Sequence, residues 1–146
     1  MRIVIGSDHA GFDQKQRLAH YLADAGHSVT DVGTSNAEDS VDYPDFALTA
    51  GRAVADGEAD FGVLVCGTGI GMAIAANKVA GVRAANITDP EFARLAREHN
   101  DANVLALSAR FVPVQVNEEI VDAFLGTKFG GARHANRVAK ITAAEK

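Results

Sequence analysis

The sequence predicts an α/β fold: a single doubly wound sheet of about five parallel strands with helices on both faces. Three observations predict it. Short apolar runs rich in Val, Ile and Leu recur along the chain, bounded by glycine or polar turns. Between them lie segments whose apolar residues repeat at helical spacing. The two kinds of segment alternate, which is the rhythm of βαβ units.

Ile3-Val4-Ile5 is the first buried strand, ended by Gly6. Phe12 to Ala25 follows as a helix with Leu18, Tyr21 and Leu22 on one face, and Gly26 stops it. Ser28 to Val32 is a short second strand. The polar, acidic stretch from Gly33 to Tyr43 reads as a surface loop able to cover a site. Pro44 to Asp56 carries Phe46, Ala47, Ala50 and Val54 on one helical face, with Pro44 near its start and Gly57 just past its end. Val63-Leu64-Val65 is the third strand, ending at Cys66, and Gly69 to Asn77 continues as a helix. Val82 to Asn86 is a weaker fourth strand. Thr88-Asp89-Pro90-Glu91 then matches a capping box that opens a helix towards Glu98. Val104 to Leu107 is the fifth strand, and helices follow at Pro113 to Leu125 and at Arg133 to Thr142. The whole reads as Rossmann-like.

A length of 146 residues suits one domain spanning 1–146, with a single substantial core. Hydrophobic residues make up 47% of the chain and the net charge is -5, so nothing draws it electrostatically to nucleic acid or an anionic membrane. No apolar run approaches the roughly 18 residues of a membrane span, and the apolar start is too short for a signal peptide. One cysteine excludes an intrachain disulfide framework and suits a reducing compartment. The expected location is cytoplasmic.

Cys66 is that one cysteine, and it sits where a strand meets the glycine turn Gly67-Thr68-Gly69-Ile70-Gly71. The carboxyl end of a strand is where open α/β sheets bind ligands. A helix N-terminus beside the sulfur suits a thiolate. The turn lacks the dinucleotide spacing, since Met72 stands where a glycine is needed, and no Walker lysine follows. Beside a thiol it resembles an oxyanion cradle.

Asp8 and His9 follow the first strand, on the same sheet edge as Cys66; Asp8 has the alternative role of a helix cap. His99, in Glu98-His99-Asn100-Asp101, is either a cation at a helix C-terminus or a general acid–base. Arg133 and Arg137 share one helical face, which is either a solvated basic surface or a phosphate clamp, and Arg110 is a third candidate. No spacing argues for a metal: the histidines are scattered and Cys66 has no thiolate partner.

Ser7-Asp8-His9-Ala10-Gly11, Asp42-Tyr43-Pro44, Cys66-Gly67-Thr68-Gly69-Ile70-Gly71, Ala75-Ala76-Asn77-Lys78, His99-Asn100-Asp101-Ala102-Asn103-Val104 and Gly131-Ala132-Arg133-His134 together resemble ribose-5-phosphate isomerase type B. That family is shared with galactose-6-phosphate isomerase subunits. The motifs keep the family's order along nearly the whole chain, and Cys66 resembles the branch that uses a thiol as base. The resemblance implies a metal-free, cofactor-free isomerisation of ribose 5-phosphate and ribulose 5-phosphate. Cys66 would move the proton, with Thr68 as a polar helper and the Gly67, Gly69, Ile70 and Gly71 backbone as oxyanion cradle. His99 would open the sugar ring, with His134 competing for that role. Asp8, His9, Asn100 and Arg110 would bind substrate, Arg133 and Arg137 would clamp phosphate, and Tyr43 would line the pocket. The resemblance also implies a homo-oligomer, dimer or tetramer, whose site draws residues from two subunits. An isomerase of a six-carbon sugar phosphate such as allose 6-phosphate or galactose 6-phosphate is the alternative. A non-catalytic phosphate-binding module would also keep the glycine turn and the arginines.

Overall fold

A computed structural model describes residues 1–145. Its five strands, β1 (Arg2–Ser7), β2 (Ser28–Asp31), β3 (Phe61–Cys66), β4 (Ala84–Asn86) and β5 (Val104–Ser108), form one sheet in the order β2-β1-β3-β5-β4. Every pairing is parallel. The helices are α1 (Phe12–Asp24), α2 (Tyr43–Ala55), α3 (Ile70–Ala76), α4 (Pro90–Asn100), α5 (Val114–Leu125) and α6 (Arg133–Ala143).

Side chains of a strand alternate between faces, and here the alternation sorts the core in two. Ile3, Ile5, Val63, Val65, Leu105 and Leu107 point to one side, against Leu18 and Leu22 of α1, Ala93 of α4 and Phe124 of α5. Val4, Leu64, Cys66, Val104 and Ala106 point to the other, against Ala47, Ala50 and Val54 of α2 and Met72 and Ala76 of α3. Each leucine or isoleucine so buried contributes about 1.5–3 kcal/mol. Because β1, β3 and β5 are covered on both faces, they read in sequence as continuous apolar runs. Cys66 therefore belongs to the α2–α3 side. α6 lies outside this scheme: it rests on α4 and Val138 is its one buried side chain among the described residues.

Three expectations need correction. β4 begins at Ala84, not Val82. Val82 bonds back to Val79, and Arg83 gives its N–H to the Asn103 side chain at 2.8 Å, so that only its carbonyl, accepting from the Asn103 and Val104 N–H groups, reaches the neighbouring strand. The N-cap of α4 is Asp89, not Thr88; its side chain accepts the Glu91 N–H at 2.8 Å. The Glu91 carboxylate pairs with Arg94 instead of reaching back to the cap. As expected, α4 ends within Glu98-His99-Asn100-Asp101: Asn100 is its last residue, and Asp101 turns left-handed with φ 48°. The third correction is the loop after β2, which ends at Asp42, since Tyr43 already opens α2. No helix among the described residues is long and apolar enough to cross a membrane.

Candidate active site

β3 delivers Cys66 to the carboxyl edge of the sheet, where the chain turns through Gly67-Thr68-Gly69 into α3. The turn requires Gly69, whose φ is +83°. Its N–H donates to Cys66 Sγ at 3.1 Å, and the Ile70 N–H goes to Thr68 Oγ1 at 3.1 Å. The carbonyls point away into the fold: Cys66 O accepts from Ala109 N–H, Gly67 O from Arg110 N–H and Ser108 Oγ, and Thr68 O from the Asn86 amide. The N–H groups of Gly67, Thr68 and Gly71 donate to no protein acceptor among the described residues. Three open donors thus belong to residues that line one cavity with Cys66, itself only 5% exposed.

A cavity of about 410 Å³ opens over this turn, lined by Cys66, Gly67, Thr68 and Gly71, with Tyr43, Ile70, Ile74 and Arg110 around them. Its size falls in the range of small-molecule sites. The Tyr43 ring lies so close to Gly71 that a Cβ there would meet its Cε1 at 2.6 Å. Arg110 has no carboxylate partner among the described residues, so its charge is available to an anion.

Asp8 and His9 follow β1, the neighbour of β3, and the two strands flank a reversal of winding direction, the place where such sheets bind ligands. Asp8 is buried and one carboxylate oxygen accepts the Gly11 N–H at 3.0 Å, so part of its role is to shape the turn. His9 Nδ1 accepts the Val41 N–H at 3.2 Å. That leaves the ring proton on Nε2, a donor for a ligand oxygen.

The remaining candidates lie elsewhere. A helix between parallel strands starts at the carboxyl edge and ends at the amino edge, so the end of α4 lies across the sheet from Cys66. Arg83 and Asn103, which precede β4 and β5, mark that edge: Arg83 pairs with Asp101 at 3.1 Å. Five residues of β5 at roughly 3.3 Å each separate the edges by on the order of 15 Å, beyond the reach of an imidazole. His99 stacks there on His134 with ring centroids 4.3 Å apart and planes inclined by 15°. Partial burial holds the His134 imidazole below its ordinary range, and His99, Arg133 and Arg137 add to the effect. Arg133 and Arg137 are exposed and also lack carboxylate partners among the described residues. Asn100 lines a separate cavity of about 730 Å³ at this edge, with Asn77 and Arg83. That cavity is larger than the one at Cys66, but its lining has no thiol or hydroxyl group.

One chain therefore assembles a thiol half (Asp8, His9, Tyr43, Cys66, the glycine turn, Arg110) and a histidine half (His99, Asn100, Arg133, His134, Arg137) on opposite edges. Among the described residues no group of three or more His, Cys, Asp or Glu is placed to hold a metal. Sequence reasoning did not find Asn86 or Ser108, whose side chains tie down the carbonyls of the glycine turn. Polar residues at the ends of apolar strands were the available signal.

The model of a family described as Ribose/Galactose Isomerase matches residues 3–141. The chain belongs to the ribose/galactose isomerase family. Ribose-5-phosphate isomerase B of Escherichia coli (strain K12) is 47% identical over 145 residues, covering 99% of this chain and 97% of that protein. Among solved structures, Clostridium thermocellum ribose-5-phosphate isomerase B superposes with a TM-score of 0.96 at 52% identity, over 98% of this chain and 96% of that one. Ribose-5-phosphate isomerase B from Mycoplasma genitalium, solved with bound ribulose-5-phosphate, gives 0.94 at 43% identity, over 97% and 94% of the two chains. In this member of the ribose/galactose isomerase family the two groups of residues lie on opposite edges of one chain's sheet.

Proposed function

We propose that this chain is an aldose–ketose isomerase interconverting D-ribose 5-phosphate and D-ribulose 5-phosphate, with residues 1–146 forming one sugar-phosphate isomerase domain. The observation that carries the reading is Cys66 in a cavity of about 410 Å³ that is also lined by Gly67, Thr68 and Gly71, whose N–H groups are open. The relative solved with ribulose-5-phosphate supports the choice of substrate.

In the open-chain aldose, the Cys66 thiolate takes the proton on C2. The C–H electron pair becomes the C1–C2 double bond, and the carbonyl pair moves to O1, giving an enediolate. The N–H groups of Gly67, Thr68 and Gly71 face that developing charge and stabilise it. A proton passes from O2 to O1 and the thiol returns its proton to C1, leaving the ketose. Gly69 and Ile70 serve the turn itself, one holding the sulfur and the other the Thr68 hydroxyl. His9 and Asp8 hold sugar oxygens, and Tyr43 lines the pocket wall. The thiol, the backbone donors, an imidazole and guanidinium groups cover each step, so no cofactor is required and EDTA leaves the rate unchanged.

The ring opener His99 and the clamp residues Arg133 and Arg137 reach the thiol from a second copy, with Asn100 and His134. Two facts support this shared site: the halves sit on opposite edges, and Ile70 and Ile74 beside the cavity are 54% and 60% exposed. Apolar side chains so exposed around a ligand cavity mark an interaction surface. The functional unit is then a homo-oligomer, dimer or larger, working in the cytoplasm where its thiol stays reduced.

The test is an assay of the purified protein on ribose 5-phosphate and allose 6-phosphate, comparing kcat/KM. Preference for the hexose would move the assignment to a six-carbon substrate, and binding without turnover of either would leave a phosphate-binding module. Cys66→Ala should lower kcat by about 10²–10⁴-fold while sugar-phosphate binding persists. Turnover that survives this substitution would end the thiol-base mechanism.

A further inference from the structure

The buried face of α1 contains Leu18, Leu22 and, on the same stripe, Lys15. Lys15 is 1% exposed and lines no part of the cavity at Cys66. Its three ammonium protons meet three oxygens: Asp31 Oδ1 at 2.8 Å, Asp31 Oδ2 at 2.7 Å and the Thr34 carbonyl at 2.7 Å. A buried ammonium is tolerated only when compensated in this way. The same atoms are tied onwards. Asp31 Oδ1 also accepts the Gly33 N–H at 2.8 Å, while Gly33 O and Thr34 N–H bond the two sides of Ser7, each at 2.8 Å. Ser7 immediately precedes Asp8 and His9.

From Thr34 the chain loops outward and returns at Val41, whose N–H holds His9 Nδ1. Two residues on, Tyr43 opens α2 and packs against Gly71 in the cavity wall. One end of the loop is therefore anchored by Lys15, and the other sets the tautomer of His9 and the position of Tyr43. We propose that Lys15 is a positioning residue for substrate binding, acting through Asp31 and Thr34 on His9 and Tyr43. It never touches the sugar. Its kinetic consequence rests on the isomerase reading above; its effect on His9 does not.

Long-range ¹H–¹⁵N spectra, recorded where the ring is neutral, should show wild-type His9 protonated on Nε2. Lys15→Met should turn that signal into a tautomer mixture and raise KM for ribose 5-phosphate about tenfold, with kcat within about threefold of wild type. Lys15→Met/Asp31→Asn is the second variant: it removes the carboxylate that loss of the lysine orphans, still lacks the bond to Thr34, and should give the same two changes. A wild-type His9 protonated on Nδ1 overturns the proposal whatever the variants do. So does a folded variant with wild-type KM and His9 spectrum, or one that loses kcat at unchanged KM. Wild-type turnover is measured first, because its absence would end the isomerase reading while the His9 spectra still decide the role of Lys15.

Discussion

His134 lies face to face with His99, and partial burial in that contact is the main reason its imidazole is held below 6.5, with the charges of His99, Arg133 and Arg137 adding to it. As pH falls through 6.5, the unfolded chain binds a proton at this residue before the folded one does. Stability from this site is therefore full above 6.5, is lost as pH falls towards the folded-state value, and changes no further below it. His134→Phe keeps an aromatic stack and removes the titration. Its Tm should fall less than that of wild type between about pH 7 and about pH 5; equal falls would exclude the effect. Under the proposed mechanism His99 opens the ring, so His99→Asn should cripple turnover of cyclic ribose 5-phosphate more than that of ribulose 5-phosphate, which has no furanose to open. Equal loss in both directions would remove it from that role. At this scale the placement was legible: Cys66 with its glycine turn and the Asp8-His9 pair each end a buried strand, and those strands, β3 and β1, are neighbours. The histidine stack was hidden because its members sit on different helices. Lys15 was hidden because a lone lysine in an amphipathic helix reads as exposed, although its place on the Leu18 and Leu22 stripe was the clue.

Among the elements, α3 depends most on a single backbone conformation. Gly69 combines φ +83° with a tight site, where a Cβ would meet the Leu107 carbonyl at 3.0 Å. Gly69→Ala should cost about 1–3 kcal/mol of stability, read from denaturant unfolding, and weaken turnover by displacing the N–H that holds the sulfur. Wild-type stability would mean that the turn has another conformation available. Element type was legible throughout, because fully buried strands and amphipathic helices leave different periodicities. Boundaries were less so. At α4, proline belongs in the first helical position, so the preceding Asp89 is the cap, and the Thr88 capping box lies one residue out of register. At β4 an asparagine side chain takes the bond that a longer strand would have used, and no local pattern announces a partner 20 residues away.

For the whole molecule, the proposed shared site makes two copies the working unit. Mixing Cys66→Ala with His99→Asn, each crippled alone on ribose 5-phosphate, and allowing subunits to exchange should restore roughly a quarter of wild-type activity on that substrate if they pair at random as dimers. Half the pairs are then mixed, and each mixed pair holds one intact site and one doubly damaged one. No recovery after demonstrated exchange would place both halves in one chain's site. Strand order was not legible, since the same βα rhythm threads many right-handed sheets. The opposition of the edges follows from that threading, so the distance of His99 from Cys66 became visible only in the folded chain. Its consequence is one of stoichiometry and closure. A two-fold pair matches every thiol half with a histidine half and leaves neither over. An open head-to-tail chain of copies would end with one of each unmatched, so under the proposed shared site the smallest assembly in which every cysteine works is the symmetric pair.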